Sequence, residues 1–402
     1  MKKLIIIFAL IFLHISGCKN DYPPSLWDPN FEAEPDPVIT AIQPDSAFGG
    51  IGIITILGEN FSADPRKNHV YFNGEKGEVL EASATQLKVR VPNLYGDDVV
   101  IKVRVEGALM FAEFAPYKLM RVWTEYSDFN EYDDAFAMAV DADENLYVSL
   151  AQDNKGKKKK IVKVTPDGTR YDYASTTVDK ASGMRVGPGG DLFYVNILQA
   201  VFRVPAGGGQ DQIYKVLTGG VFDLDFDANG NIFLAGNASK VFVLQPDKTA
   251  KIVAQYDKIS FNAVRVFNNY VYLAGSYTGA DTTQVQEGVW RNEILNAEGD
   301  LGPNELVFDW HSHFPQNNLL SMVIAEDGDI IIGSDTPDPL IAIHPDGRFE
   351  PVYPGVIEPP ASSMVWGNGD YLYINRRSSE ASKKRILRVN MLRKSAPYFG
   401  RQ

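Results

Sequence analysis

The chain has 402 residues, 45% hydrophobic and 22% charged, a globular composition with room for about two or three domains. Its formal charge of -12 excludes the basic footprint that nucleic-acid phosphates demand. A single cysteine excludes an intrachain disulfide, so stability has to come from packing.

The chain opens with MKKLIIIFALIFLHISGC. Two lysines precede an apolar run, Leu4 to Leu13, that is too short to span a bilayer and has the layout of a signal peptide. The end of the stretch, Ile15-Ser16-Gly17-Cys18, resembles the box of bacterial lipoproteins. In that family the cysteine becomes the first residue and carries lipid. The resemblance implies a signal peptide over residues 1–17 and lipidation at Cys18. Losing Lys2 and Lys3 would take the mature charge to -14. Residues 18–36 are rich in proline and acids and lack periodicity, which reads as an extended tether.

Residues 37–118 read as the first folded unit. PVITAIQPDSAFGGIGIITILGENF, HVYFNG and TQLKVRVP alternate apolar and polar residues between Pro and Gly breaks, which predicts the short strands of a small sandwich. Pro37, Ile39, Ile42, Pro44, Gly49-Gly50, Thr55-Ile56, Gly58, Asn60-Phe61, Phe72-Asn73-Gly74, Thr85-Gln86-Leu87 and Val91-Pro92 together resemble the IPT/TIG immunoglobulin-like domain. That resemblance implies a spacer or interaction module without catalytic residues.

Residues 119–402 repeat. AFAMAVDADENLYVSL, SGMRVGPGGDLFYVN, VFDLDFDANGNIFLAG, FNAVRVFNNYVYLAG, LSMVIAEDGDIIIGS and SSMVWGNGDYLYIN each read as strand, tight Gly/Asn/Asp turn, strand. Their anchors Met138, Met184, Leu224, Val264, Met322 and Met364 are spaced 46, 40, 40, 58 and 42 residues apart. A third strand follows every hairpin and a fourth follows most. Four strands in about 40 residues is the period of a propeller blade, so six copies predict an all-β, six-bladed β-propeller. The D-x-x-G-N-L-Y-V element and the TPDG and HPDG turns resemble the NHL and gluconolactonase-like group. MRVWTEY, residues 120–126, has the pattern of a fourth strand but precedes the first copy. It is expected to close the ring beside ILRVN of the sixth blade and so remove an unpaired edge.

Within a blade, the first-to-second and third-to-fourth turns share one face, and the remaining connections share the other. Here the former are short and uniform and the latter variable and polar, which places binding on the variable face. The candidates there are Asp134, Lys180, Asn196, Asn237, Asn262, Tyr277, His313, Asn317, Asp335, Asn375 and Arg376, with Tyr132, Asp133, Phe261, His311 and Glu358 nearby. Any one of them can equally be a loop residue that satisfies its own turn. Near the axis, Arg185 and Arg265 flank Asp225 in adjacent blades and are expected to form a channel-lining Arg–Asp–Arg bridge, since buried charges are normally paired. No cofactor is implied. The only metal candidates are His311 and His313, which would share a face if DWHSHF is a strand, with Asp335 as a third ligand. Two basic runs, KGKKKK (155–160) and RRSSEASKKR (376–385), read as solvated hairpin tips. Alternatively they attract an acidic partner, such as a uronic-acid polysaccharide or an anionic lipid surface.

The order of anchor, tether, spacer and propeller resembles cell-envelope lipoproteins of Bacteroidota, often linked to glycan uptake with outer-membrane transporters. The implied function is capture of a glycan at the outer membrane by a lipid-anchored propeller. Two alternatives stand beside it: a propeller hydrolase, lactonase or lyase, and a protein–protein scaffold.

Overall fold

The computed structural model describes residues 32–153 and 155–401. Cys18, the segment 1–17 and the tether as far as residue 31 lie outside the described residues.

Two sheets pack face to face in the first unit. One orders Val38–Gln43, Ile53–Glu59, Gln86–Arg90 and Glu78–Ser83 side by side; the other orders Ser46–Phe48, Phe111–Met120, Gly96–Val105, Asn68–Phe72 and Glu75–Lys76. The period-two pattern decides which side chains face inward. Ile54, Ile56, Val70, Phe72, Leu87, Val89, Ile101 and Val103 are all fully buried in the shared core. The Asn73-Gly74 pair turns Phe72 into Glu75 with φ of 48° and 105°. A two-residue hairpin needs left-handed backbone at both central positions, which is why this dipeptide sits there.

Six four-stranded sheets follow around a common axis, the first extended by the short Gly209–Gln210 strand. Their innermost strands are Ala135–Val140, Gly183–Val186, Asp223–Phe226, Ile259–Phe267, Leu319–Ile324 and Ser363–Trp366. Each lies against the next, and Ser363–Trp366 returns to Ala135–Val140. The closing strand is Trp123–Glu125, which pairs antiparallel with Arg385–Asn390 of the sixth blade, Thr124 opposite Arg388. The ring is thus closed by a strand that precedes the first blade, as the edge-strand argument expects.

The turns of the first and third blades have a common cause. Asp227 Oδ1 accepts from the Asn229 and Asn231 amides at 2.9 and 2.8 Å, and Asn231 Nδ2 donates to Asp227 Oδ2 at 2.8 Å. Asp141 does the same for Asp143 and Asn145 in the first blade. An aspartate that satisfies the amides of its own turn fixes a tight connection in any blade that carries it. One blade cannot bury both faces alone, so stacking supplies the core: Leu146, Val148, Leu192, Leu234, Val271, Ile332 and Leu372 are fully buried.

The two units touch where Asn93 Nδ2 donates to the Gly355 carbonyl at 3.0 Å and where Phe48 and Ile51 pack against the propeller cluster that holds Val356.

Candidate ligand-binding site

A cavity of about 690 Å³ opens on the variable face, at the top of the axis. This lies within the range of small-ligand sites. Three of the six inner strands shift register where they meet it, between Ala135 and Met138, Phe261 and Ala263, and Leu319 and Ser321. The residues released by these bulges, Phe136, Asn262 and Leu320, all line the cavity. A bulge re-aims one side chain while the strand continues, so here the core strands themselves supply the floor. Blades 1, 2 and 6 supply most of the wall, through Phe129 to Ala137, Lys180 to Ser182, Asn196 and the Asn375–Ser378 and Lys384–Ile386 segments.

Of the residues singled out from the sequence, Asp134, Lys180, Asn196, Asn262, Asn375 and Arg376 are brought together around this cavity. Asn375 Nδ2 donates to the carbonyls of Ala135 and Phe136, both at 2.9 Å, and holds the first-blade bulge in place. Asn262 Nδ2 does so for the Leu319 carbonyl at 2.7 Å. Asn196 Oδ1 and Asn262 Oδ1 are buried without a hydrogen-bond partner among the described residues. Such an acceptor costs about 1–3 kcal/mol, which a water or a guest hydroxyl reaching the wall recovers.

Asp133 lines the cavity too, and the other candidates lie apart from it. Asn237 is exposed beyond strand Ile232–Ala235. Tyr277 ends its strand opposite Ile259 and packs on the fourth-blade core. Asn317 and Asp335 hold the link into the fifth blade: Asn318 donates twice to the Asp335 carboxylate, at 2.7 Å each. DWHSHF is not a strand. Asp309 Oδ1 accepts from the Ser312 amide at 3.1 Å and caps a one-turn helix, Trp310–His313. His311 and His313 therefore do not share a strand face. His313 stacks on Phe308 and meets Phe349 at a tilt, with ring centroids at 5.1 and 4.7 Å. No group of three His, Cys, Asp or Glu able to hold a metal occurs among the described residues.

The axial bridge is built differently from the expected pairing. Asp223, not Asp225, lies between the two arginines: Arg265 Nη1 approaches Asp223 Oδ2 at 2.6 Å, and Arg185 Nη2 approaches it at 3.6 Å. Asp225 meets Arg185 Nε at 3.5 Å. The carboxylates also accept blade-to-blade amides, Val264 N to Asp223 at 3.0 Å and Val266 N to Asp225 at 2.8 Å. Burial pushes the Asp225 carboxyl above its usual range, with Arg185 and Arg265 opposing. The channel narrows to voids of about 40 and 60 Å³ around this cluster. The C-terminal segment closes its far end, where the Tyr398 hydroxyl donates to the Val186 carbonyl at 2.5 Å. The site is therefore a blind cup with a charged plug beneath it.

The basic runs divide. Lys160 is buried and pairs with Asp153 and Asp172 at 2.5 and 2.6 Å, and Lys157 pairs with Asp172 at 2.5 Å. The second run delivers Arg376, Arg377, Lys384 and Arg385 to the cavity wall. Arg377, Lys384 and Arg385 were visible in the sequence only as a charge run. Arg376 is anchored by donating from Nε to the Lys383 carbonyl at 2.7 Å, and burial lowers its pKa while Glu358 opposes.

One buried carboxyl outside the cavity makes a pH prediction. Glu287 is 8% exposed, accepts from the Leu319 amide and the Ser276 hydroxyl at 3.1 Å each, and is pushed up to about 7 by burial. Its folded pKa lies above its unfolded value, so the folded state holds the extra proton. That stabilisation is fully present below about pH 4.5 and is lost as pH rises through 7. After allowance for solvent screening, Glu287 should make the chain about 2 kcal/mol less stable at pH 8 than at pH 4.5. Glu287→Gln should remove this contribution. Chemical denaturation of both proteins across that range checks it; parallel pH profiles would refute it.

Residues 37–116 match the IPT/TIG domain. No curated protein matches the chain. Similar solved structures include an auxiliary nutrient binding protein from Bacteroides ovatus, 14% identical over 89% of this chain and 99% of that one, with a TM-score of 0.51. Another, from Bacteroides thetaiotaomicron, is 14% identical over 89% and 98%, with a TM-score of 0.52. A luciferin-regenerating enzyme is 14% identical over 69% of this chain and 97% of that one, with a TM-score of 0.52. At these identities the likeness establishes the fold. The chain thus joins an IPT/TIG domain, residues 37–116, to a six-bladed β-propeller.

Proposed function

We propose that this protein is a lipid-anchored binding protein of the outer membrane whose propeller captures a glycan in the cup at its variable face. The observation that carries the reading is the cup itself, about 690 Å³ and lined by asparagine, serine and charged side chains over a floor that includes Phe136. Sugars present hydroxyls that both donate and accept, and C–H faces that rest on aromatic rings. Asn196 and Asn262 offer acceptors in need of donors, and Ser182, Ser362 and Ser363 line the same space. The likeness to auxiliary nutrient binding proteins supports capture over scaffolding. Lipidation at Cys18 and a transporter partner belong to the same reading. They rest on the N-terminal sequence and the order of domains.

Binding of a saccharide panel by the soluble chain starting at residue 19, read by calorimetry, tests this. At least one oligosaccharide should bind, and Asn196→Ala should weaken it about tenfold, the value of one hydrogen bond. Lys88→Ala, on a strand of the first domain remote from the cup, should bind as the parent. A folded protein that binds no saccharide, or an Asn196→Ala variant that binds like the parent, overturns the reading.

A further inference from the structure

The cup is basic although the protein is strongly acidic. Its lining carries Lys180, Arg376, Arg377, Lys384 and Arg385 against only Asp133 and Asp134, in a chain of formal charge -12. Both carboxylates are already answered. Asp133 receives a bidentate contact from Arg170 at 2.8 and 3.1 Å, and Asp134 lies 3.7 Å from Arg377. Arg376 and Arg385 face Glu358 and Glu125 at 3.6 and 3.3 Å. Lys180 and Lys384 make no ion pair among the described residues, and the same holds for no acid of the lining. The surplus is cationic.

The placement of that surplus is specific. Arg377 lies 4.0 Å and Lys180 5.7 Å from the centroid of the Phe136 ring. Phe136 is the residue displaced by the first-blade bulge, and the Ser363 hydroxyl donates to its carbonyl at 3.1 Å. Two cations from different blades are thus gathered around one fixed aromatic ring at the edge of the cup. The cation–π contact holds Lys180 in place without neutralising it, while Arg377 shares its charge with Asp134 at 3.7 Å.

Resting on the glycan reading above, we infer that the cup selects anionic saccharides, with Lys180, Arg377 and Lys384 receiving the acidic group and the Asn196 side receiving hydroxyls. A uronate carboxylate and a sulfate ester share this chemistry: a compact anion on a polyhydroxylated ring. Low dielectric in the cup strengthens the attraction relative to open surface.

The test compares matched trisaccharides on the soluble chain by calorimetry: oligouronates, their methyl esters, sulfated trisaccharides and neutral parents. An acidic member should bind about ten- to a hundredfold tighter than its ester or neutral parent. Lys180→Met with Lys384→Met should remove that preference, so that the acid and its neutral parent bind alike. Sodium chloride should weaken the acid and not the neutral sugar. Uronate or sulfate preference identifies which source the cup takes. Equal binding of acid and ester overturns the selectivity and leaves glycan capture standing. Binding of none of these overturns both.

Discussion

Replacing Asp223 with alanine should lower the stability of the propeller by about 3–5 kcal/mol, the cost of removing one partner from a buried ion pair. Asp223 is 5% exposed and holds Arg265 at 2.6 Å and the Val264 amide at 3.0 Å, with Arg185 at 3.6 Å. Its loss leaves two axial arginines to Asp225 alone and strands an interblade N–H. Asp223→Asn keeps an acceptor for that amide and removes the charge, so it should fall between parent and Asp223→Ala. The paired replacement Asp223→Leu with Arg265→Met removes both charges and should recover much of the loss, because a matched buried pair is often no better than packed apolar groups. Urea unfolding of the four proteins measures all of this. A loss under about 1 kcal/mol for Asp223→Ala would mean that water already carries these charges.

That network shows where the sequence was readable and where it was not. The first and third blades were legible because Asp141 and Asp227 must cap their own turns, and the others because the same strand–turn–strand spacing recurs. The closing strand was legible because Trp123–Glu125 had no partner of its own in the first unit. The charges at Arg185, Asp225 and Arg265 were visible as an alternating position, but pairing depends on side-chain reach across blades. Asp223, two residues from Asp225 on the same strand face, makes the shorter contact with Arg265. The cup was half legible. Lys180 and Asn196 stand at loop positions that polarity alone picks out. Phe136 and Leu320 do not, because they face the cup through register shifts that no periodicity reports. The helix at Trp310–His313 carried a signal in the Asp309 cap, and a single turn is too short for periodicity to outweigh the strand reading.

Arg170 ties stability to the cup, so its removal should register in both. The guanidinium comes from the outer strand of the first blade, Arg170–Ser175, and grips Asp133 through two bonds at 2.8 and 3.1 Å. It also reaches Asp128 at 3.2 Å and lies 4.7 Å from the Phe129 ring centroid. Asp133 is 4% exposed, so Arg170 is the buried anchor of a segment that forms a wall of the cup, with Arg385 on Glu131 and Arg377 on Asp134 as its outer ties. Arg170→Met should cost about 3–5 kcal/mol, because the buried carboxylate loses its bidentate partner. Arg170→Lys restores charge but offers a point donor where a fork is needed, and should recover only part. Arg170→Met with Asp133→Asn should regain most of the stability. It should not regain saccharide binding, because the wall then lacks its anchor. Unfolding and calorimetric binding on the same three variants separate the two effects. If binding returns together with stability, the 128–134 segment is held by its neighbours, and Arg170 serves the fold alone.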